Sequence, residues 1–335
     1  MVWSTEATYY TDESITKSGV ATVTADYSYG GDPTLTLDDY QLTIKPKGST
    51  GTGTEITDEN PYKFTTAGEY TLTVSYTEND ITQTNTTTIK VEDKGYTVDG
   101  KTYSVSNTHG LLAWNKAVQS DPSLNCTLTA DIALTGKKWT PIGSGFSSNT
   151  GYQGTFDGNG KTITGLTITT SSPGGQNATL FNYIGSGGTV KNLQVEVNYN
   201  VQQNGAAGGI AYTNYGTITA CSVTGNITAN SGAIGGIAVN NFDTGIITAC
   251  WFDGDLTTTY DNGGIAAYNY GTITACFYGG NAGYGANNQG GTAETTKVND
   301  GDSWQDAVDA MNAALQNAGS EWRYELTGEL PTLKK

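Results

Sequence analysis

Three stretches of this chain are copies of one another, and that periodicity constrains the fold more than anything else in it. Residues 208–221 read Gly-Gly-Ile-Ala-Tyr-Thr-Asn-Tyr-Gly-Thr-Ile-Thr-Ala-Cys. Residues 235–250 repeat the pattern with Asp243-Thr244 inserted, and residues 263–276 repeat it again. From Gly209 to Gly236 is 27 residues, and from Gly236 to Gly264 is 28. A weaker copy precedes these at Leu180–Ile184 and Gly188–Leu193, and a further turn is expected over Gly154–Ile163. Each unit has room for two or three short strands separated by Gly and Asn, and none for a helix. A single unit cannot bury its apolar face, whereas stacked units share one continuous core. The pattern predicts a parallel β-helix with rungs about 4.8 Å apart, right-handed by the crossover rule.

Composition divides the chain near residue 93. Residues 1–93 hold 15 acidic and 5 basic residues but only 7 of the 45 glycines. This segment alternates with a period of two, most clearly at Tyr70-Thr71-Leu72-Thr73-Val74-Ser75-Tyr76. Similar runs occupy residues 20–27 and 40–44, residues 81–91 supply a last strand, and loops are expected at Gly30-Gly31-Asp32-Pro33 and Gly48–Gly53. Half a dozen short strands in one segment of this length predict an antiparallel sandwich.

Two resemblances follow from these residues. Thr66-Ala67-Gly68-Glu69-Tyr70 resembles the tyrosine corner of immunoglobulin-like sandwiches, and residues 1–93 as a whole resemble a bacterial immunoglobulin-like domain. The repeated Gly-Gly-Ile-Ala-x-x-Asn-x-Gly-Thr-Ile-x-x-Cys resembles the GLUG repeat of bacterial surface and secreted proteins. Residues 128–143 and 154–166 are similar to the lead-in such proteins place before their coils. The family often has Gly where Tyr212, Val239 and Ala267 stand here. The resemblance implies an adhesin-type surface protein. The expected fold is all-β: an immunoglobulin-like sandwich over 1–93, then a β-helix over 94–335 with short helical caps.

Solenoid ends expose apolar edges and require covering. Residues 108–119 place Leu111, Trp114 and Val118 at helical spacing within an N-terminal cap over about 96–150. Residues 303–318 carry Ala307, Met311, Ala314 and Leu315 in an apolar stripe, with Ser303 as the expected N-cap and Asp306 completing a capping-box variant. Residues 322–326 read as a closing strand.

Charge and residue inventory exclude several functions. A net charge of −16 with a single Arg (Arg323) cannot neutralise a run of phosphates, so nucleic acid is excluded as a partner. No apolar run approaches the ~18 residues of a membrane span. The start, Met1-Val2-Trp3-Ser4-Thr5-Glu6, has no leader pattern, and the composition favours a trimmed secreted or cell-surface chain over a cytosolic one.

Cys221, Cys250 and Cys276 share one repeat position. In-register neighbours are spaced too widely for disulfides, and three in-line sulfurs make no tetrahedron, so free buried thiols are expected. Asn214, Asn241 and Asn269 form a second column, suited to left-handed backbone and to amide bonds along the stack. Tyr215, Phe242 and Tyr270 form a third. Structural stacking and a sugar-binding strip are both open for these columns, and exposed Tyr212 and Tyr268 would favour the strip. The candidate ligand-binding residues are Tyr212, Asn214, Asn240 and Tyr268. His109 is expected at the start of a cap helix, away from the repeats. Asp157-Gly158-Asn159-Gly160 reads as a hairpin-type turn. Asp253, Asp255 and Asp261 form the one acidic cluster of the coils, able at most to hold a weak Ca²⁺; no other cofactor is implied. Six acids and two lysines lie between residues 150 and 290, and no nucleophile–base–orienter set can be assembled from them.

The expected function is non-catalytic binding of a host or matrix glycan or protein. The alternative is a polysaccharide lyase or glycoside hydrolase with the β-helix as catalytic domain.

Overall fold

The computed structural model describes residues 2–6, 8–25, 35–144, 149–170, 177–202 and 205–335. The expected loop at Gly30-Gly31-Asp32-Pro33, and Asp26-Tyr27 at the end of an alternating run, lie outside the described residues. The protein is all-β, 51% strand with three short helices among the described residues. It divides into two compact units, Met1–Lys94 and Gly95–Lys335.

In the first unit a five-stranded sheet runs in the order Tyr9–Tyr10, Ile81–Glu92, Gly68–Glu78, Gln41–Pro46, Thr54–Glu55. Alternation decides which face is buried: Tyr70, Leu72 and Val74 point inward and pack with Leu42, Ile44, Phe64 and Ile89. Tyr76, expected on the same face, is only half-buried because the strand outruns the core there. A three-stranded sheet of Val2–Trp3, Ala21–Ala25 and Leu35–Leu37 supplies Ala21 and Val23 to the same core. Tyr70 donates its hydroxyl to the Thr66 carbonyl at 3.0 Å, four residues upstream. One turn of helix, Lys17–Val20, takes up Val20, so the expected alternating run begins as a strand at Ala21; the Thr16 hydroxyl accepts from the Gly19 amide and caps the helix.

The second unit is a parallel β-solenoid of about five turns. On one side Thr155–Thr170, Thr189–Val201 and Thr217–Ala229 stack in parallel register, continued by Ile246–Thr248, Trp251–Asp253, Leu256–Thr258, Thr272–Tyr278 and Thr292–Lys297. On the other side Phe181–Ile184, Ala211–Asn214, Ala238–Asn241, Asn262–Asn269 and Tyr284–Asn288 stack likewise. Ile210, Ile237 and Ile265 from the Gly-Gly-Ile-Ala copies, with Ile218, Ile247 and Ile273 from the Gly-x-Ile copies, fill the interior.

The corners are built differently from expectation. Asn214, Asn241 and Asn269 do not adopt left-handed backbone; Ala220, Ala249 and Ala275 do, at φ of 51°, 50° and 49°. Each precedes a Cys whose thiol donates to the Thr carbonyl two residues back, at 3.2–3.4 Å. Alanine carries a penalty in that region that glycine would not. Its methyl is nevertheless used, because Ala220 and Ala249 lie in one cluster with Trp251, Met311 and Leu315. Asp157–Gly160 is likewise no hairpin. Its strand pairs with the same parallel neighbour before and after it, through a register shift between Asp157 and Lys161, with Asn159 and Gly160 at positive φ.

Helix Thr108–Val118 starts on Asn107, whose side chain accepts from the Gly110 amide. It drives Leu111, Trp114 and Val118 into the solenoid core, where Trp114 meets Phe156 at 5.1 Å and Tyr152 edge-on at 6.1 Å. This helix packs against the first strands of the solenoid, Thr102–Val105 and Ile132–Ala133. The other helix does not cover the opposite end. Gln305–Asn317 and the hairpin of Arg323–Glu325 with Thr332–Lys334 lie along the flank, from Phe277 in the last coils back to Gly160 in the first. A Cβ on Gly160 would sit 2.6 Å from the Trp322 ring. The helix N-cap is Trp304 rather than Ser303, and the Ser303 hydroxyl accepts from the Gln305 amide at 3.2 Å. Asp306 lies in the first turn without completing a capping box. The C-terminal edge is instead a polar rung, Thr292–Lys297, blunted by Glu294 and Lys297.

Candidate functional site

The side-chain columns separate into frame and surface. Asn214, Asn241 and Asn269 are fully buried. The Asn214 amide donates to the Asn241 oxygen at 2.9 Å, Asn241 to Asn269 at 2.8 Å, and Asn269 to Asn288 at 3.0 Å. The same amides donate to the Gly216, Gly245 and Gly271 carbonyls within their own turns. Each amide therefore pins its own corner and its neighbour, which satisfies polar groups that would otherwise be costly to bury. Asn214 belongs to this frame and offers no group to a surface ligand, contrary to its place among the candidates.

Tyr215, Phe242 and Tyr270 stack nearly parallel, with centroids 4.9 and 5.3 Å apart and interplanar angles of 12° and 10°. Their faces cover one another, so a sugar ring has no free face of Phe242 to stack on. The column presents ring edges and, at its end, Tyr270, which is 41% exposed.

Register separates the remaining candidates. Asn240 pairs with Thr213 and Tyr268, while Tyr212 lies one position earlier on its strand, beside Val239. Tyr212 is half-buried and edge-on to Tyr183 at 5.7 Å. The Asn240 amide reaches the Tyr212 carbonyl at 3.4 Å and the Thr213 hydroxyl at 3.5 Å. Tyr268 carries the most defined contact: its hydroxyl donates to Asp261 Oδ2 at 2.6 Å, and Tyr284 donates to Asp261 Oδ1 at 3.2 Å. The hydrogen bond to Asp261, then burial, pushes the Tyr268 phenol up to about 12. Burial first, then Asp261, raises Tyr284 as well. Tyr260, 56% exposed, immediately precedes Asp261. Asp261, Tyr268 and Tyr284 form the candidate site, with exposed Tyr260 adjacent to Asp261 in the chain and exposed Tyr270 two residues beyond Tyr268. Sequence reasoning named Tyr268 but missed Tyr284 and assigned Asp261 to a cation.

The three carboxylates of the expected cation cluster do not share one cleft: Asp253 lines one with Asp300, and neither Asp255 nor Asp261 lines it. Among the described residues no group of three or more His, Cys, Asp or Glu could hold a metal ion. The Asp253 cleft, about 590 Å³, is lined by Asp300, Asp302, Trp304 and Glu329 from the C-terminal tail. Burial, then Asp300 and Asp255, raises the Asp253 carboxyl above the ordinary carboxylate value.

All four cysteines are free and buried, and burial pushes the thiols of Cys126, Cys250 and Cys276 well up, away from nucleophilic thiolate. His109 lies in the first turn of the N-terminal helix.

No family model matches the chain, and no curated protein matches it. Among solved structures it is similar to a crystal structure of a Bacteroides ovatus protein provisionally named an immunoglobulin A1 protease. The two share 20% identity over 60% of this chain and 68% of that one, at a TM-score of 0.42.

Proposed function

We propose that this protein is a non-catalytic, extracellular or cell-surface binding module whose solenoid presents a glycan-binding patch at Asp261, Tyr268 and Tyr284. The observation that carries the reading is the Asp261 carboxylate, held by the Tyr268 and Tyr284 hydroxyls, with exposed Tyr260 next to it in the chain. A fixed carboxylate gives sugar hydroxyls a directional acceptor, and a free aromatic ring gives their C–H faces a platform. The scarcity of Lys and Arg disfavours anionic ligands. The first unit, with its Tyr70–Thr66 corner, we read as an immunoglobulin-like spacer, and the repeats as GLUG-type coils. Binding on this reading needs no cofactor.

A glycan array, run beside a reducing-sugar release assay on the same glycans, tests this. Binding without release is expected. The Asp253 cleft is the observation that favours a second reading, hydrolysis, because a half-buried carboxyl with raised proton affinity beside other acids suits a general acid. Release of reducing ends, abolished by Asp253→Asn, would replace the first reading with the second.

A further inference from the structure

Among the described residues the first unit leaves one long strand edge open. Ile81–Glu92 pairs with Gly68–Glu78 on one side, in continuous register from Ile81–Glu78 to Val91–Gly68 with no bulge. On its other side Tyr9–Tyr10 covers only Val91 and Glu92. Among the described residues no strand pairs with the outer edge between Ile81 and Lys90. Residues 81–86 are exposed on both faces.

Edges of this kind are ordinarily blunted by charge, proline, a bulge or shortness. Here residues 81–89, Ile-Thr-Gln-Thr-Asn-Thr-Thr-Thr-Ile, contain neither a charge nor a proline and are rich in a residue that favours strands. The other open rung, Thr292–Lys297, carries Glu294 and Lys297. The other outer strand of the same sheet, Thr54–Glu55, is two residues long. Among the described residues the Ile81–Lys90 edge is the longest one without such a guard.

Its sequence also mirrors itself about Asn85. Thr84 matches Thr86, Thr82 matches Thr88 and Ile81 matches Ile89, while Gln83 faces Thr87. Two copies laid antiparallel and centred on Asn85 would place like beside like at the Thr84–Thr86, Thr82–Thr88 and Ile81–Ile89 rows, and Asp80 of one copy opposite Lys90 of the other. A self-complementary edge of this kind generates a closed two-fold dimer. It also brings together a long uncharged edge, residues 81–89, of a chain whose net charge of −16 otherwise opposes self-association.

We infer that the Ile81–Lys90 edge pairs antiparallel with the same edge of a second copy, centred on Asn85, forming a reversible dimer. The pairing extends the five-stranded sheet across the two-fold axis. A strand edge buries less than a standard interface, so the dimer forms in a concentration-dependent way.

Two measurements on the full chain test it. Sedimentation velocity over a concentration series is expected to show the weight-average mass rising toward twice that of the chain, with Thr84→Lys and Thr86→Lys each abolishing the rise. Directly opposed residues have Cα atoms about 4.5–5.5 Å apart, inside the range a disulfide spans. Asn85→Cys, opposing itself, is therefore expected to crosslink under mild oxidation. Thr82→Cys faces Thr88 of the second copy, and its own counterpart lies about 20 Å away along the strand, so it is expected not to. A mass that stays monomeric at every concentration, or equal crosslinking of the two cysteine variants, would overturn the inference. The cysteine pair keeps the test decisive even where a lysine variant folds poorly.

Discussion

The two units bury short β-strands by opposite means. In the first, mostly antiparallel strands of unrelated sequence pair, and alternation decides which face is covered: Leu42, Ile44, Leu72 and Val74 inward, threonines outward. In the solenoid each strand pairs with its equivalent one turn on, so a residue chosen once recurs as a column. Columns let the solenoid bury polar groups that the first unit keeps on its surface. A lone buried Asn is costly, whereas Asn214, Asn241 and Asn269 satisfy one another. Antiparallel pairing leaves an open edge that needs guarding along its length, while the solenoid opens only at its two ends.

Truncating the tryptophan that the N-terminal helix packs into the solenoid core should have the largest effect. Trp114→Ala is expected to cost about 3–5 kcal/mol, seen as lost protection in hydrogen exchange by mass spectrometry across the first coils, with the first unit unaffected. Leu72→Ala should cost about 2–5 kcal/mol and show the converse pattern, protection lost only within residues 1–94. If either substitution loosened both units equally, the division into two cores would be wrong. Asn241→Ala breaks the ladder in its middle and leaves Asn214 and Asn269 each short of a partner, at ~1–3 kcal/mol per buried group left unmet. Urea unfolding should report about 2–4 kcal/mol, and Asn240→Ala on the adjacent surface row far less.

A pH measurement sharpens the surface side of the comparison. The folded protein holds the Tyr268 proton more tightly than the unfolded chain does. The stability this contributes is full below the ordinary phenol value near 10 and is lost as pH rises through about 12. Tyr268→Phe should therefore flatten the alkaline fall in melting temperature across that window. The smallest effect is expected at a corner. Ala249→Gly relieves a left-handed alanine, worth ~1 kcal/mol, but removes a methyl from the cluster beneath the flanking helix, worth ~0.8 kcal/mol. The net change should stay within about 0.5 kcal/mol, against glycine's usual advantage at positive φ.

The solenoid was legible because a repeat of 27 or 28 residues states its own register; the observed pairing of Ala211 with Ala238 and of Ala238 with Ala266 follows the copies residue for residue. What was not legible shares one cause, dependence on contacts that no local pattern encodes. Alanine is not a residue of left-handed corners, and only its place between Thr and Cys in all three copies hinted at the turn. The stripe of Ala307, Met311 and Leu315 reveals which face of the helix is buried but not that Ala249 and Trp251 on the flank receive it. Asp157–Gly160 has the composition of a hairpin turn, and only the pairing on both sides makes it a coil corner. Asp261 and Tyr284 are 23 residues apart, and neither belongs to the repeat that drew attention to Tyr268.

The central claim, that this last group forms a glycan-binding patch while the columns are frame, is tested most directly at Asp261. Capture of the tightest-binding array glycan should fall at least tenfold in Asp261→Ala with the solenoid still folded, and no reducing ends should appear. Unchanged capture by Asp261→Ala, or accumulation of reducing ends with the unaltered protein, would contradict it.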